Sequence, residues 1–494
     1  MNAWKTIASL NPEQTREFQN KKLRQFIQTQ VYPFSPHYRK IFDDCAIKPG
    51  DIQTVDDLKK IPFASKPDFL ATEDNPLRYK DFILQPDQEK IRRFWGPQRL
   101  VPLALKKMLR GSDYVQDELA REYRPVFMTF TTGTTNTPVP FLYSNYDIQN
   151  LNISGARMLD LFNVPQEEKI VNLFPFAPHL AFWQVFFGGL AANVFALSTG
   201  GGKVLSTEGN LTAILKIKPS LILGMPSYIY HLARLAQERK LDLSFVQKVV
   251  MGAAKVTIPF KQRLAGLLES MGARNVSVFG TYGFTEARAA WAECPTALDV
   301  SSGYHLYPDK EIFEVIDPVT GEVKKEGEDG ELVYTPLDAR ASVVLRYRTG
   351  DFVKGGITWQ TCPHCGRSVP RISSDITRIA DTKDFQLSKV KGALINLNHF
   401  STILNEFNSI EEWQIEIRKR NNDPYDADEL IVNVCPKSGV NQTQLEEEIK
   451  KKILLATEVT PNAVQFLPFM DIVKRLELET ANKEKRIVDT RPKG

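Results

Sequence analysis

Cysteine is scarce in this chain, with five residues among 494. A sparse, odd-numbered set does not form the disulfide framework of a small secreted protein, so we expect a reducing, cytoplasmic location. The net charge is also small, because 63 basic residues are balanced by 59 acidic ones to give +4. That balance does not favour nucleic acid as a partner, and it is compatible with an anionic small ligand.

Long hydrophobic runs are equally rare. The N-terminal stretch lacks the apolar run of a signal peptide, so no secretory leader is expected. One segment, 174–197, is strongly apolar, but its polar members include His179, Gln184 and Asn193. Because such groups are costly in lipid, we predict a buried core or pocket segment there and no membrane span.

Alternating patterns predict the fold class. From residue 126 onward, short apolar runs alternate with amphipathic stretches, which is typical of α/β layers with parallel sheet. After about 310 the pattern becomes rich in strands, and beyond about 384 a strand, a helix and another strand form a small α+β unit. We predict a large N-terminal α/β domain over 1–380, with a helical and loop lead-in over 1–125 and a β-rich subdomain. A small α+β domain follows over 381–494.

Prolines and glycines punctuate the predicted elements. The polar stretch 11–34 predicts a helix that ends before Pro33, because proline cannot donate within a helix. The stretch 258–272 predicts a helix that ends at Gly272. The sequence DPVTGE, 317–322, predicts a turn between two strands.

The stretch FTTGTTNTPVPF, 130–141, crowds threonines around one glycine. No GxxxxGK[ST] phosphate loop occurs, and TGGGKV at 199–204 has valine where that loop needs a hydroxyl. A glycine lets the backbone approach an anion, and hydroxyl and backbone N–H groups donate to phosphate oxygens. By itself the stretch favours a Thr-rich surface turn, with a phosphate-binding loop as the alternative.

Three further stretches follow in a particular order: FGTYGFTEA at 279–287, LRYRTGDFV at 345–353 and ANKEKRIVD at 481–489. With the threonine loop they resemble the adenylate-forming superfamily of acyl-CoA synthetases, peptide-synthetase adenylation domains and luciferases. Within that superfamily, three stretches are similar to the phenylacetate-CoA ligase branch: ILGMPSYIYHLA, VVMGAAKVT and GELVYTPLDARASVVLRYRTGD. The resemblance covers roughly residues 125–490.

The resemblance implies an AMP-forming acid–CoA ligase. ATP and Mg²⁺ would activate a carboxylic acid as acyl-AMP, and coenzyme A would then accept the acyl group. One alternative is transfer to a carrier protein, a protein cysteine or an amine; another is a nucleotide-binding protein with a decayed active site. Nothing in the sequence names the acid or the oligomeric state, for which a homodimer stays open.

An aromatic-rich stretch favours an aryl or arylacetic acid. The aromatic residues that could supply its pocket are Phe174, Phe176, Phe182, Trp183 and Phe186. Plain core packing is the alternative interpretation of this stretch.

The resemblance also assigns nucleotide roles by position. The residues it places at the β and γ phosphates are Thr131, Thr132, Gly133, Thr134 and Thr135. Tyr282 would stack on adenine, whose edge would be lined by Ala253, Gly280 and Thr281. Asp351 would accept from both ribose hydroxyls, and Arg378 would also contact the ribose. Glu286 would help to hold Mg²⁺, and Thr285 would donate to the α-phosphate.

The resemblance implies a mobile catalytic cation in the small domain, for which we favour Lys483 over the nearby Lys485 and Arg486. Asn482 stands where the family has glycine, as does Asn136 in the threonine loop. The family's small domain rotates after adenylation. The hinge carboxylate here would be Asp381 or Asp384, and Lys391 and Gly392 would then face the thiol.

A cysteine pair indicates a structural metal site. CPHCG at 362–366 is a Cys-x-x-Cys turn, and Cys294 and His305 lie just after the TYGFTEA motif. Cys294, His305, Cys362 and Cys365 together make a Cys₃His set suited to structural Zn²⁺. His364 could compete with His305. Unmetallated thiols and a redox pair are the alternatives.

Overall fold

The computed structural model describes residues 2–131, 138–379, 387–390, 393–420, 428–457, 459–477 and 484–491. The lead-in region is helical. Its helices are α1 (Asn2–Ile7), α2 (Pro12–Phe26), α3 (Tyr32–Phe34), α4 (Pro36–Asp44), α5 (Gln88–Phe94), α6 (Pro97–Arg110) and α7 (Ser112–Tyr123). Asn11 begins α2 with a capping box. Its side chain accepts a hydrogen bond from the Gln14 N–H, and the Gln14 side chain accepts one from the Asn11 N–H.

The predicted helix end before Pro33 is wrong, because helical structure continues without a break from α2 to Phe34. After α2 the chain widens into a π turn over Ile27–Val31 and continues through α3 to Phe34. Residue 33 in an α-helix would donate to the carbonyl of Thr29, which a proline cannot do. The indole Nε1 of Trp95 donates to that carbonyl at 3.1 Å. A distant side chain thus replaces the missing donor.

The large domain is built around a sheet that has five parallel strands on one side. The parallel strands are β3 (Lys169–Asn172), β4 (Phe195–Ser198), β5 (Leu221–Gly224), β6 (Lys248–Met251) and β7 (Ser277–Phe284), in the spatial order β4-β3-β5-β6-β7. The helices that connect or follow them are α8 (Asn145–Leu161), α9 (Leu180–Ala192), α10 (Gly202–Ile217), α11 (Pro226–Glu238) and α12 (Ile258–Glu269). The order reverses between β3 and β5. Such a switch point creates a crevice at the carboxyl ends of the strands.

Antiparallel strands extend this sheet and form a second one. The extension consists of β8 (Ala289–Ala292), β9 (Tyr304–His305), β13 (Ile357–Thr358) and β14 (Arg371–Ile372). The second sheet consists of β10 (Glu311–Ile316), β11 (Gly330–Pro336), β12 (Tyr347–Val353) and β15 (Ile376–Arg378). A separate hairpin, β1 (Pro125–Phe130) with β2 (Pro140–Ser144), flanks the threonine stretch.

Residues beyond 387 form the smaller α+β region. Its strands are β16 (Leu387–Val390), β17 (Ala393–Asn396), β18 (Ile410–Lys419), β19 (Asp428–Pro436), β20 (Ala463–Phe466) and β21 (Ile487–Asp489). Its helices are α13 (Asn398–Asn405), α14 (Gln442–Thr457) and α15 (Phe469–Arg475). Most of this region has a hydrophobic core of its own, whereas α15 packs against the core of the large domain. Arg234 of α11 pairs with Glu411 at 3.1 Å across the same contact.

The predicted fold class is confirmed, including the parallel sheet, the β-rich region and the small α+β region. The helix predicted before Gly272 and the DPVTGE turn are also present. The apolar segment 174–197 folds as α9 and β4. Across the residues described, no helix is long and apolar enough to cross a membrane. The domain boundary at 380 stays a prediction, and the proposed hinge residues Asp381 and Asp384 lie outside the described ranges, as do Lys391 and Gly392.

Candidate functional site

A cavity of about 880 Å³ opens beside the switch point. It is lined by residues from the carboxyl ends of β5, β6 and β7, by β12, and by the segment that leads into α9. Phe63 and Lys66 of the lead-in region also reach it. Residues of the parallel sheet, the second sheet and the lead-in region therefore line the cavity together.

Thr131 lies in the first part of the threonine stretch, directly before the residues that are not described, and it lines the cavity. Its N–H donates to the Val139 carbonyl at 3.0 Å, and its Oγ1 accepts from the Val139 N–H at 3.0 Å. These two hydrogen bonds hold Thr131 and Val139 next to each other. The rest of the predicted phosphate loop lies outside the described residues: Thr132, Gly133, Thr134 and Thr135, with Asn136 after them. The phosphate-binding role of this loop therefore stays a prediction.

Glu286 and Thr285 line the cavity directly after β7. The Tyr347 hydroxyl of β12 donates to Glu286 Oε1 at 2.7 Å. Burial and the adjacent carboxylate raise the pKa of Tyr347 well above its ordinary value, so the phenol stays a donor. The predicted magnesium carboxylate is therefore held in place by a residue of the YRTGD motif.

Asp351, the predicted ribose ligand, is held in a similar way. The Tyr282 hydroxyl donates to Asp351 Oδ2 at 2.8 Å, and Arg378 Nε lies 3.0 Å from Asp351 Oδ1. Arg378 also donates to the Thr349 carbonyl at 2.9 Å and lines the cavity. Asp351 itself is buried and does not belong to the cavity lining, so its ribose role stays a prediction.

The predicted adenine residues divide into two groups. Ala253 and Thr281 line the cavity, whereas Tyr282 and Gly280 do not belong to its lining. Tyr282 instead stacks on Trp291 and Tyr304 in the neighbouring strands. The backbone of Ala253 is left-handed, with φ of 65°, which costs an alanine about 1–2 kcal/mol. Such strain at a cavity wall is characteristic of a functional position.

Gly280 faces a buried ion pair. Its N–H donates to Glu293, which pairs with Lys261 at 2.7 Å, both side chains being 3% exposed. Glu293 directly precedes Cys294. This pair therefore connects the start of the TYGFTEA motif to the predicted metal ligands.

Lys66 is a site residue that sequence analysis missed. It lines the cavity, where burial lowers its pKa, with Glu286 and Arg378 as its charged neighbours. The stretch ASKPDF carries no phosphate-binding pattern, and its only readable signal is a capping box between Ser65 and Asp68. The structure thus adds a cation to the cavity lining.

The aromatic prediction is partly wrong. Phe174 and Phe182 line the cavity, but Phe176, Trp183 and Phe186 do not. Trp183 contacts Phe176, which precedes α9, and Phe186; Phe176 is 59% exposed. Trp183 is turned about 100° from Phe182 around the helix axis, and Phe186 is exposed.

The family model for AMP-binding enzymes matches residues 61–336, more than half of the 494-residue chain. The chain belongs to the AMP-binding enzyme family. It is 25% identical to the phenylacetate-coenzyme A ligase of Aromatoleum evansii, an alignment that covers 99% of this chain and 97% of that protein. It is 24% identical to the phenylacetate-coenzyme A ligase of Escherichia coli K12, over 92% of each chain.

The structural comparison agrees on the fold. A 2-hydroxyisobutyryl-CoA ligase in the postadenylation state, in complex with R3-HIB-AMP, superposes with a TM-score of 0.72. The match has 19% sequence identity and covers 99% of this chain and 92% of that one. The AMP-binding enzyme therefore has the fold of this ligase.

The predicted metal ligands of this AMP-binding enzyme lie together. Ligand atoms of Cys294, His305, Cys362 and Cys365 all lie within 4.8 Å of one another. The Cys294 and Cys362 sulfurs are 3.8 Å apart, and Cys365 Sγ lies 3.3 Å from His305 Nε2. His305 Nδ1 donates to the Ala292 carbonyl at 3.3 Å, which leaves Nε2 free to bind a metal. His364 is exposed and outside the cluster, and none of the four ligands lines the cavity.

Two of the three candidate tail cations of this AMP-binding enzyme already have partners. Lys485 pairs with Glu477 at 2.7 Å at the surface. Arg486 pairs with Glu412 at 2.6 Å and with Glu484 at 2.8 Å, and its guanidinium lies over the Trp413 ring. Lys483 and Asn482 lie outside the described residues.

Proposed function

We propose that this AMP-binding enzyme is an AMP-forming acid–CoA ligase. A carboxylate oxygen of the acid attacks the α-phosphorus of ATP, the bond to the β-phosphate breaks, and pyrophosphate leaves. The coenzyme A sulfur then attacks the acyl carbon, the bond to AMP breaks, and the thiol proton goes to solvent. The observation that carries the proposal is one cavity whose lining combines polar Thr131, Glu286 and Arg378 with apolar Phe174 and Phe182.

The polar residues of the lining suit a nucleoside triphosphate. Two anions must meet during adenylation, so fixed cations and donors are needed. Lys66 and Arg378 supply positive charge, and Thr131 and Thr285 supply hydroxyl groups. Glu286 would hold Mg²⁺, because hard divalent cations prefer carboxylate oxygens. When bound, the ion would neutralise charge on the phosphates.

The apolar residues of the lining suit an aryl or arylacetic acid. Phe174 and Phe182 offer flat apolar surface, and Met158, Val185 and Met225 also line the cavity. A cavity lined mainly by apolar side chains with a few polar groups is typical of a small-molecule site. The aryl class is further supported by the similarity to phenylacetate-CoA ligases.

A panel of carboxylic acids tests the function. We expect acid-dependent pyrophosphate release with ATP and Mg²⁺, hydroxamate formation when hydroxylamine is present, and a CoA thioester when coenzyme A replaces hydroxylamine. Hydroxamate without thioester would instead favour a carrier protein, a protein cysteine or an amine as the acceptor. Nucleotide binding without release for any acid would favour the decayed site.

Replacing Tyr347 with Phe tests how the magnesium carboxylate is positioned. The substitution removes only the hydroxyl that donates to Glu286 Oε1. We expect adenylation at low Mg²⁺ to fall about 10-fold, since a hydrogen bond to a charged group contributes about 1.5–3 kcal/mol. Raising the Mg²⁺ concentration should recover much of the loss. Tyr32→Phe, which removes a surface hydroxyl bonded to Asp43, is the control, and a loss independent of Mg²⁺ would argue against this role.

We further propose that the Cys₃His cluster binds structural Zn²⁺. Three sulfurs and one imidazole nitrogen form an accepted ligand set for structural Zn²⁺, and the ligands join β8, β9 and the turn between β13 and β14. Holding these short strands together is the expected role. A cytoplasmic location is part of the same proposal, because none of the five cysteines forms a disulfide.

Elemental analysis and thermal unfolding test the zinc site. We expect about one zinc ion per chain in the purified protein. Cys362→Ser should remove it and lower the Tm by roughly 5 °C or more, because metal-binding energy contributes to folding. Cys45→Ser changes an exposed thiol and should do neither. Zinc-free protein with an unchanged Tm would contradict the proposal.

A further inference from the structure

Helix α6 turns an apolar side toward solvent. The large apolar side chains on that side are Val101, Leu105, Met108 and Leu109, which are 55%, 49%, 75% and 76% exposed. Residues 101, 105 and 108 recur at i, i+4 and i+7, and residue 109 lies one turn after 105, so the four share one side of the helix. None of the 14 residues of α6, all of which the structure describes, is buried. A surface helix usually turns its apolar side toward the core, so α6 is reversed.

Polar contacts attach the opposite side of α6 to its neighbours. Arg99 Cζ lies 4.0 Å from the centre of the Trp95 ring, and the same guanidinium pairs with Glu122 of α7 at 3.2 Å. Lys106 pairs with Glu118, one turn earlier on α7. Further contacts on this inward side are made by Leu100, Leu103 and Arg110. Together they fix the helix with its apolar side outward.

The chain around α6 is strongly basic. Residues 88–110, which include α5 and α6, carry seven basic side chains and one acidic one, Glu89. That excess of six positive charges is larger than the net charge of +4 of the whole chain. With about 100° between successive residues of a helix, Lys107 borders one edge of the apolar side and Lys106 borders the other. The apolar side therefore has a basic rim.

Charge and apolar surface together select among the possible occupants. Contiguous exposed apolar side chains mark a site for a protein or a membrane. Nucleic acid would match the positive charge but not the apolar side. A second copy of this chain, packed about a two-fold axis, would bring two basic surfaces together, which like-charge repulsion disfavours. An anionic bilayer matches both features, because apolar side chains enter the acyl boundary while basic ones contact the headgroups.

We propose that α6 docks the enzyme on membranes that carry anionic lipids, with the helix lying in the plane of the membrane surface. The inference goes beyond the proposed ligase function and does not depend on it. No residue of α6 belongs to the lining of the cavity described above. Because one short amphipathic helix is the only anchor, docking is reversible and sensitive to lipid composition.

Vesicle sedimentation with the full chain tests the inference. The two probes are vesicles of phosphatidylcholine alone and vesicles that also contain about 30% phosphatidylglycerol. We expect the protein to bind the anionic vesicles at least about 10-fold more tightly, since each basic side chain near such a surface contributes about five-fold. Raising the salt concentration should reduce this preference, because salt screens the attraction.

Variants assign the binding to α6. Met108→Ser combined with Leu109→Ser removes two exposed apolar side chains and should weaken binding to anionic vesicles at least about 10-fold. Val319→Ser combined with Leu455→Ser removes side chains of 79% and 75% exposure elsewhere and should bind as the wild type does. Lys107→Gln, at an exposed position, is an independent test and should weaken binding about five-fold at low salt. Tm values report whether each variant is folded.

The outcomes separate the occupants. Binding that falls in both α6 variants and not in the control supports the inference. Absence of binding to anionic vesicles at low salt overturns it, as does equal binding by the wild type and the Met108→Ser, Leu109→Ser protein. Equal binding to neutral and anionic vesicles also overturns it, because the basic rim would then contribute nothing.

Sedimentation velocity of the same proteins examines the second copy. A wild-type dimer that becomes a monomer in the Met108→Ser, Leu109→Ser protein, without vesicle binding, would show that a second copy covers α6 and would overturn the inference. Acid-dependent pyrophosphate release is measured separately and without vesicles. Its failure would contradict the ligase function and leave the membrane result unaffected.

Discussion

Glu286→Gln is expected to lower the rate of acid-dependent pyrophosphate release by about 10²–10³-fold, the usual effect of losing one fixed electrostatic group. The substitution keeps the shape of the side chain and an oxygen that accepts from Tyr347. It removes only the negative charge, which is what a bound Mg²⁺ requires. The loss should therefore appear as weaker Mg²⁺ binding, with a higher Mg²⁺ concentration needed for activity, rather than as unfolding.

The control for this variant is Glu238→Gln, which makes the same change on an exposed side chain at the end of α11. Full activity in the control with collapse in Glu286→Gln would support the assignment. Adenylation by Glu286→Gln at the wild-type rate, with the same Mg²⁺ requirement, would show that another carboxylate holds the ion.

Lys483→Ala should have a similarly large effect, a loss of adenylation of about 10²–10³-fold. The small-domain cation must be free to approach the substrates, and Lys485 and Arg486 are engaged in ion pairs with residues of their own domain. That leaves Lys483 as the candidate for the charge at the reaction centre. Pyrophosphate release under saturating ATP and acid measures the effect.

The neighbouring cations supply the matched controls. Lys485→Ala removes an exposed pair with Glu477 and should leave the rate within a few-fold, because exposed pairs contribute about 1 kcal/mol or less. Arg486→Ala should instead lower the Tm, since Glu412 would lose its partner beside Trp413. A collapse of adenylation in folded Lys485→Ala, with Lys483→Ala active, would reverse the assignment.

Local patterns predicted much of this molecule. Alternating apolar runs gave the parallel sheet and the small α+β region, because period and length distinguish strands from helices. The four predicted metal ligands lie far apart in the chain, yet their residue types were sufficient to predict that they lie together, as the structure shows. Glu286, Thr285 and Arg378, which the resemblance assigns to one nucleotide site, line the same cavity, and their roles stay predictions.

Long-range contacts account for what the sequence did not predict. Trp95 stabilises a helix end that lies 66 residues away, and no local pattern reveals such a partner. Tyr347 and Glu286 meet across 61 residues, and Lys66 reaches the cavity from the lead-in region. The aromatic stretch was misread in part because the sequence alone did not establish which face of α9 packs against the cavity.

Isotope transfer tests the central claim most directly. The acid is labelled with ¹⁸O in both carboxyl oxygens and incubated with ATP, Mg²⁺ and coenzyme A, and all products are measured by mass spectrometry. Attack of the carboxylate on the α-phosphorus predicts AMP with one labelled oxygen, a thioester that keeps the other, and unlabelled pyrophosphate. Label in inorganic phosphate with ADP as the nucleotide product, or unlabelled AMP beside a doubly labelled acid, would contradict an acyl-adenylate.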